Sequence, residues 1–216
     1  PPYVGMIGYS FSQRSVSHEG INERVWGYEV TGTYFDVLCS HAALGRAISS
    51  DDGDVSRANA VTMLSYKCWK QRFGGDPAII GKDVIVNGRS FSVIGVAPAG
   101  FFGTEVVSSP ELFFPLAAAQ QIEAGDNWLE RRGTEKLFVQ GRLKPGVREA
   151  QAQADLNVIA AQLESEYPEI NEDKRVSLSP PGLIGDAMRG PVIGFAALLA
   201  GIVGLVLLLA CTNLAN

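Results

Sequence analysis

Hydrophobic and polar residues follow one pattern through most of the chain and another at its end. Up to about residue 147, apolar residues alternate or cluster over short runs broken by Gly, Pro, Asn and Asp, which is the pattern of short strands. Strands are expected around residues 4–9 and 25–30, with a polar loop between them that contains His18-Glu19-Gly20. Residues 60–64 form a short apolar run, and Ser65 then stands where it can cap a helix through Phe73, with Trp69 and Phe73 four positions apart on one face. Gly74-Gly75 closes that helix, and Asp76-Pro77 blocks its continuation. Residues 83–86 and 90–96 flank Asn87-Gly88, a pair that tolerates positive φ at both central positions of a two-residue hairpin. Residues 110–115 are an apolar strand bounded by prolines.

The next section predicts a strand over 136–143, a turn at Lys144-Pro145-Gly146, and a helix over 148–167. Ala152, Leu156, Ile159 and Leu163 share one face of that helix at spacings of four, three and four. Residues 176–178 follow as a strand. The result is a β-α-β unit, a small mixed sheet with a helix packed on it, and an α+β fold class. No repeat of solenoid period and no low-complexity tract interrupts it.

From Gly190 onward the pattern changes. Every Lys, Arg, Asp and Glu of the chain lies at or before Arg189, which leaves the final 27 residues uncharged. Residues 192–211 supply the roughly 20 apolar positions that a helix needs to cross hydrocarbon. They are apolar all round, without the polar stripe of a surface helix, so the segment reads as a membrane span rather than the central helix of a soluble fold. Small residues recur every fourth position in Ala196, Ala200 and Gly204, and again in Ala197 and Gly201, a spacing that lets membrane helices approach closely. Pro180-Pro181-Gly182 and Gly190-Pro191 punctuate the approach to a helix starting near Pro191. Arg189 alone gives no basis for orienting the span by charge. Because Pro1-Pro2-Tyr3 begins in mid-domain, the chain is expected to be a piece of a longer protein.

Composition adds mainly exclusions. The formal charge of -5 belongs entirely to the part before the span, and no basic run exceeds two residues, as in Arg131-Arg132; nucleic acid is not an expected partner. Cys39, Cys68 and Cys211 have no metal-ligand spacing. Cys39 and Cys68 are expected as two buried free thiols, with a disulfide between them as the alternative if the body is exported. Asp51-Asp52-Gly53-Asp54 lacks the later Glu of a calcium loop and reads as a solvated turn. His18 and His41 fit no ligand pattern, Ser10 sits in no nucleophile elbow, and no phosphate-binding loop occurs. Gly74-Gly75 and the glycines of 100–103 are turn residues, and no spacing recommends Glu29, Asp36 or Glu105 as a carboxylate pair. Trp26, Trp69 and Trp128 are expected in packing roles. No catalytic, cofactor-binding or metal residue emerges, and the protein is not expected to be an enzyme.

An ordered set of motifs carries a resemblance. Val30-Thr31-Gly32-Thr33-Tyr34-Phe35-Asp36-Val37-Leu38 and Leu44-Gly45-Arg46 resemble the opening of the MacB-like periplasmic core domain. Leu64-Ser65-Tyr66 with Trp69 and Arg72-Phe73-Gly74-Gly75-Asp76-Pro77 resembles its central helix and turn. Gly81 with Val86-Asn87-Gly88 and Phe91-Ser92-Val93-Ile94-Gly95-Val96-Ala97-Pro98 resembles its hairpin, and Gly141-Arg142-Leu143-Lys144-Pro145-Gly146-Val147 its last strand and turn. The tail from Leu207 resembles the start of an FtsX-like permease domain. The set is most similar to the large permeases with a duplicated core domain, often called acidobacterial duplicated orphan permeases. Cys39 stands where the family usually has glycine.

The resemblance implies a fold, a topology and partners. A porter-like subdomain would be built from residues 1–35 and 131–190, a sabre-like mixed α/β subdomain from the inserted residues 36–130, and a transmembrane helix from 191–216. A further span would precede Pro1, placing residues 1–190 on the periplasmic or extracellular side of the inner membrane. The implied function is that of an ABC-type transporter permease transmitting ATP-driven motion to an envelope protein or substrate. Its implied partners are an ATPase subunit or domain outside this chain, a second permease subunit or half, and the membrane; no cofactor is implied. Pro191, Gly194, Gly201 and Gly204 would serve helix packing and coupling. The alternative is a membrane-tethered sensing or scaffold module without ATP coupling.

Overall fold

The structure is a computed structural model that describes residues 1–18, 21–53, 60–104, 109–123, 128–179 and 186–215. Glu19-Gly20, Asp54, Glu105 and Pro180-Pro181-Gly182, each singled out above, lie outside the described residues.

The chain opens with β1 (Tyr3–His18) and β2 (Ile21–Val30), paired antiparallel from Tyr9 opposite Val30 to His18 opposite Ile21. The stretch expected as a polar loop is therefore strand almost to its end. Its residues still alternate: Arg14 and Val16 are buried, whereas Gln13 and Ser15 are exposed. Cross-strand pairing stabilises such a stretch even where its composition is polar. There follow α1 (Tyr34–Val37), β3 (Leu44–Gly45), β4 (Val61–Leu64), α2 (Tyr66–Arg72), β5 (Asp83–Val86), β6 (Arg89–Val96), β7 (Leu112–Pro115) and α3 (Ala119–Ile122). The chain then forms β8 (Phe138–Leu143), α4 (Glu149–Glu166), α5 (Pro168–Asn171) and α6 (Asp186–Ala215).

Local signals in the sequence materialise where they were expected. The Ser65 hydroxyl accepts a hydrogen bond from the Cys68 N–H at 3.2 Å and caps α2. Asn87 and Gly88 take φ of 49° and 78° in the turn joining β5 to β6.

The strand ladders form a closed circuit. β2 runs parallel to β7, β7 antiparallel to β4, β4 parallel to β6, β6 antiparallel to β5, β5 antiparallel to β1, and β1 returns to β2. β8 lies outside this circuit, antiparallel to residues 3–9 of β1. Residues 16 and 17 of β1 pair with β5, so this one strand serves both parts of the sheet. Between them, residues 10–14 pair only with β2.

Each sheet face carries its own core. One collects Val16, Val84, Val86, Phe91, Val93, Leu112 and Phe114 with Cys68 and Phe73 from α2. The other collects Ile7, Tyr9, Tyr28, Val30, Met63 and Phe113 with Tyr34 and Phe35 from α1. Neighbouring residues in a strand point to opposite faces, so Leu112, Phe113 and Phe114 are all buried, which is why β7 reads as an unbroken apolar run.

Three expectations change. Residues 176–178 form no strand; the Gln153 side chain of α4 holds them, donating to the Val176 carbonyl at 2.6 Å and accepting from the Leu178 N–H at 2.8 Å. That amide satisfies the backbone groups a neighbouring strand would otherwise satisfy. The apolar face of α4 is mostly open: Ala152 is buried, but Ile159 is 50% exposed and Leu163 is exposed as well. Cys39 is exposed rather than buried, and both it and Cys68 are free thiols.

Cys39 also has φ of 54°, the left-handed region that favours glycine. Its N–H donates to the Asp36 carbonyl and the Ser40 N–H to the Phe35 carbonyl, a Schellman closure of α1. The glycine implied by the resemblance at this position has this conformational cause.

The strands and α1–α5 belong to one compact unit and α6 to another. α6 begins at Asp186, ahead of the start expected near Pro191, and carries Pro191 inside it. At the sixth position of the helix, Pro191 lacks the N–H that would bond the carbonyl four residues earlier.

Candidate functional site

Two places concentrate what an ordinary core does not need. The first is a group of charges at the edge of the Val16 core. Arg14 on β1 and Glu29 on β2 face the same side of the hairpin, and both are buried, with 6% and 1% of their side chains exposed. The Arg14 guanidinium donates to Glu29 Oε1 from Nε at 3.1 Å and from Nη2 at 2.5 Å. The same Nη2 donates to Glu123 Oε1 at 3.0 Å, at the C-terminal end of α3. Lys136, two residues before β8, donates to Glu123 Oε2 at 3.2 Å and sits 5.4 Å from the centre of the Trp128 ring.

Gly27 makes room for this arrangement. A Cβ there would lie 3.0 Å from Arg14 Cγ and 3.1 Å from the Phe114 ring, so the missing side chain is what lets Arg14 cross the strand. Three buried polar atoms in or beside the network, Glu29 Oε2, Ser12 Oγ and Trp128 Nε1, have no hydrogen-bond partner. Ser12 is the cross-strand neighbour of Gly27.

Burial sets the electrostatics. It pushes the Glu29 carboxyl up to about 7, against the pull of Arg14, and the negative charge of Glu123 adds to the rise. Burial acts the same way on Glu123, yet hydrogen bonds from Arg14 and Lys136 outweigh it and hold that carboxyl below its ordinary range. Arg14 is lowered by burial and raised more by Glu29 and Glu123, with a net rise. The two partners of the central pair thus move in the same direction for different reasons. Arg14 has two carboxylates, whereas Glu29 has one cation and must share it. Near neutral pH the cluster holds two fixed cations, one fixed anion and one carboxyl that titrates.

The second place is α6. The segment Gly190–Leu214, 25 residues with a mean hydropathy of 2.9, is long and apolar enough to cross a membrane, and none of it is buried within the structure. It is not the core helix of this fold. Gly194, Gly201 and Gly204 lie along it, and a Cβ at any of them would meet nothing within 4 Å. Pro191 sits near its start. These four residues share one helix and are open to their surroundings.

The other residues weighed above do not gather. Asp36 and His41 are exposed and Glu29 belongs to the ion network. Asp52 pairs with Arg46 at 2.6 Å and accepts from the Ser49 N–H at 3.0 Å, so it closes its own turn. Among the described residues no three His, Cys, Asp or Glu side chains stand together as a metal site. Trp128 is buried and Trp69 half-buried, whereas Trp26 is exposed. Arg14, Glu123 and Lys136 escaped the sequence reading because 109 residues separate Arg14 from Glu123 and no spacing relates them.

With this geometry in place, the chain can be set beside known proteins. A family model described as the MacB-like periplasmic core domain matches residues 2–159. The crystal structure of the periplasmic region of MacB from Actinobacillus actinomycetemcomitans is similar, with a TM-score of 0.58 and 21% identity over 79% of this chain and 71% of that one. So is the extracellular domain of the ABC-type transporter YknZ from Gram-positive bacteria, with a TM-score of 0.57 and 16% identity over 77% and 78%. No curated protein matches the sequence. The mixed α/β fold expected from the residues is the fold that these domains have.

Proposed function

The chain belongs to the MacB-like periplasmic core domain family, and on that premise we propose that it is the extracytoplasmic part of an ABC-type permease, passing ATP-driven motion to an envelope protein or substrate. The observation that carries the reading is the junction of a folded α/β body with Gly190–Leu214, an uncharged helix exposed along its length. An apolar helix of this size is stable in lipid and unstable in water. In this reading α6 crosses the inner membrane, residues 1–190 lie on its periplasmic or extracellular side, and the ATPase is a separate subunit or domain on the other side. Motion reaches the body through α6.

The division into a porter-like part (1–35 and 131–190) and an inserted sabre-like part (36–130) belongs to the same proposal. The pairing of β8 with the first half of β1 supports a porter-like part drawn from both ends of the segment. Gly194, Gly201 and Gly204 give α6 a surface on which a helix of the second permease subunit or half can pack closely, and Pro191 lies before them on the same helix. The open space at each glycine supports that role.

Mass spectrometry of what co-purifies with the full-length protein from mild-detergent membranes, with ATP present, tests the proposal. An ATPase subunit in the pull-down is the expected result. Recovery of envelope proteins alone would mean a tethered adaptor without ATP coupling and would sink the mechanical reading.

A further inference from the structure

The network around Arg14 joins the parts of the chain that the proposed division separates. Arg14 and Glu29 come from the first segment, Glu123 from the end of the inserted one, and Lys136 from the segment leading into β8. It draws on the stretch of β1, residues 10–14, that pairs neither with β8 nor with β5. Backbone pairing joins that stretch to β2 alone, and the side chains of the network tie it to the segments that carry Glu123 and Lys136.

We propose that the Arg14–Glu29–Glu123–Lys136 network is a proton-operated latch holding the segment around Glu123 against the β1–β2 hairpin. The latch works by competition for one guanidinium. Arg14 Nη2 donates both to Glu29 on its own hairpin and to Glu123 on the segment that must be held. When Glu29 is ionised, it draws Arg14 away from Glu123 and repels Glu123 as a like charge. When Glu29 is protonated, Arg14 passes to Glu123, the repulsion disappears, and the segment is held more tightly.

The charged groups facing Glu29 are Arg14 from β1 and Glu123 from the end of α3, with Lys136 behind Glu123. β7, on the other flank of β2, is Leu-Phe-Phe-Pro and offers nothing that titrates. With the Glu29 carboxyl raised to about 7 by burial, roughly nine in ten molecules are protonated at pH 6 and one in ten at pH 8. The latch therefore changes state within the range that an extracytoplasmic domain meets.

Hydrogen exchange on the detergent-solubilised full-length protein, corrected for the intrinsic pH dependence of exchange, tests this at pH 6 and pH 8. Protection of peptides covering residues 116–123 and 128–138 is expected to fall about threefold or more between the two, while that of β4 and β6 stays constant. Glu29→Gln, which keeps the shape and removes the charge, is expected to show the pH 6 protection at both values. Glu123→Gln is expected to show low protection at both, and gives an independent reading should Glu29→Gln fold poorly. Equal protection in the wild type at pH 6 and pH 8, or an undiminished pH effect in either variant, would overturn the latch. The biological meaning of the latch rests on the proposed extracytoplasmic placement, but its test does not. Absence of the pH effect in the wild type sinks the latch alone, and cytoplasmic exposure of residues 1–178 in intact cells sinks the placement alone.

Discussion

Cys39 shows how one residue records a backbone requirement. At φ of 54° it holds a conformation that costs a non-glycine residue about 1–2 kcal/mol, offset in part by the roughly 0.5–1 kcal/mol that glycine's unfolded-state freedom costs. Cys39→Gly is therefore expected to raise stability by about 0.5–1 kcal/mol in denaturant unfolding, while Cys39→Ala gives no gain. Glu29 makes the opposite kind of statement, because its environment strains its charge. Its folded pKa of about 7 lies above the ordinary 4.5, so its contribution to stability is complete below about pH 4.5 and is lost as the pH rises through 7. Thermal unfolding should show the wild type losing on the order of 2 kcal/mol between pH 5 and pH 8 relative to Glu29→Gln. A constant difference between the two proteins across that range would count against the assignment. Composition and spacing alone single out neither residue. Cys39 is one cysteine among three, and Glu29 is one of 23 acidic residues.

Elements governed by local chemistry were legible, and those governed by distant partners were not. The Ser65 cap, the Gly74-Gly75 stop and the Asn87-Gly88 hairpin are decided within a few residues, and each forms where expected. The length of β1 was not legible, because residues 10–18 become strand by pairing with β2 rather than by their own propensity. Residues 176–178 failed in the reverse sense. They read as a strand, yet the Gln153 side chain occupies the backbone groups that would have paired. Gln153→Leu should remove slow amide exchange at Leu178 and cost about 0.5–1 kcal/mol, the ordinary worth of such a bond. Retention of slow exchange at Leu178 would show that another group holds the segment. α4 displays the difference between pattern and burial: its apolar positions share a face as their spacing demands, but only Ala152 is buried against the fold.

For the whole molecule the decisive contrast is between a body with two buried cores and a helix with none. The full-length protein is expected to stay in the membrane pellet after alkaline carbonate extraction, and its release would contradict a spanning role for α6. The sequence by itself marked the candidate span, because an uncharged apolar run of this length is legible from composition alone, whatever the rest of the chain does. It determined the caps and turns for an equally local reason, since positive φ and orphaned helix donors are problems solved by the residue on the spot. It also carried the family, through motifs held in order from Val30 to Val147, inside the residues 2–159 that the family model matches. Only the tertiary structure decided that β1 serves two parts of one sheet and that Phe113 and Phe114 feed opposite cores. Only it brought Arg14, Glu29, Glu123 and Lys136 together. Those outcomes depend on strand register and long-range packing, where a shift of one residue would turn every side chain to the other face.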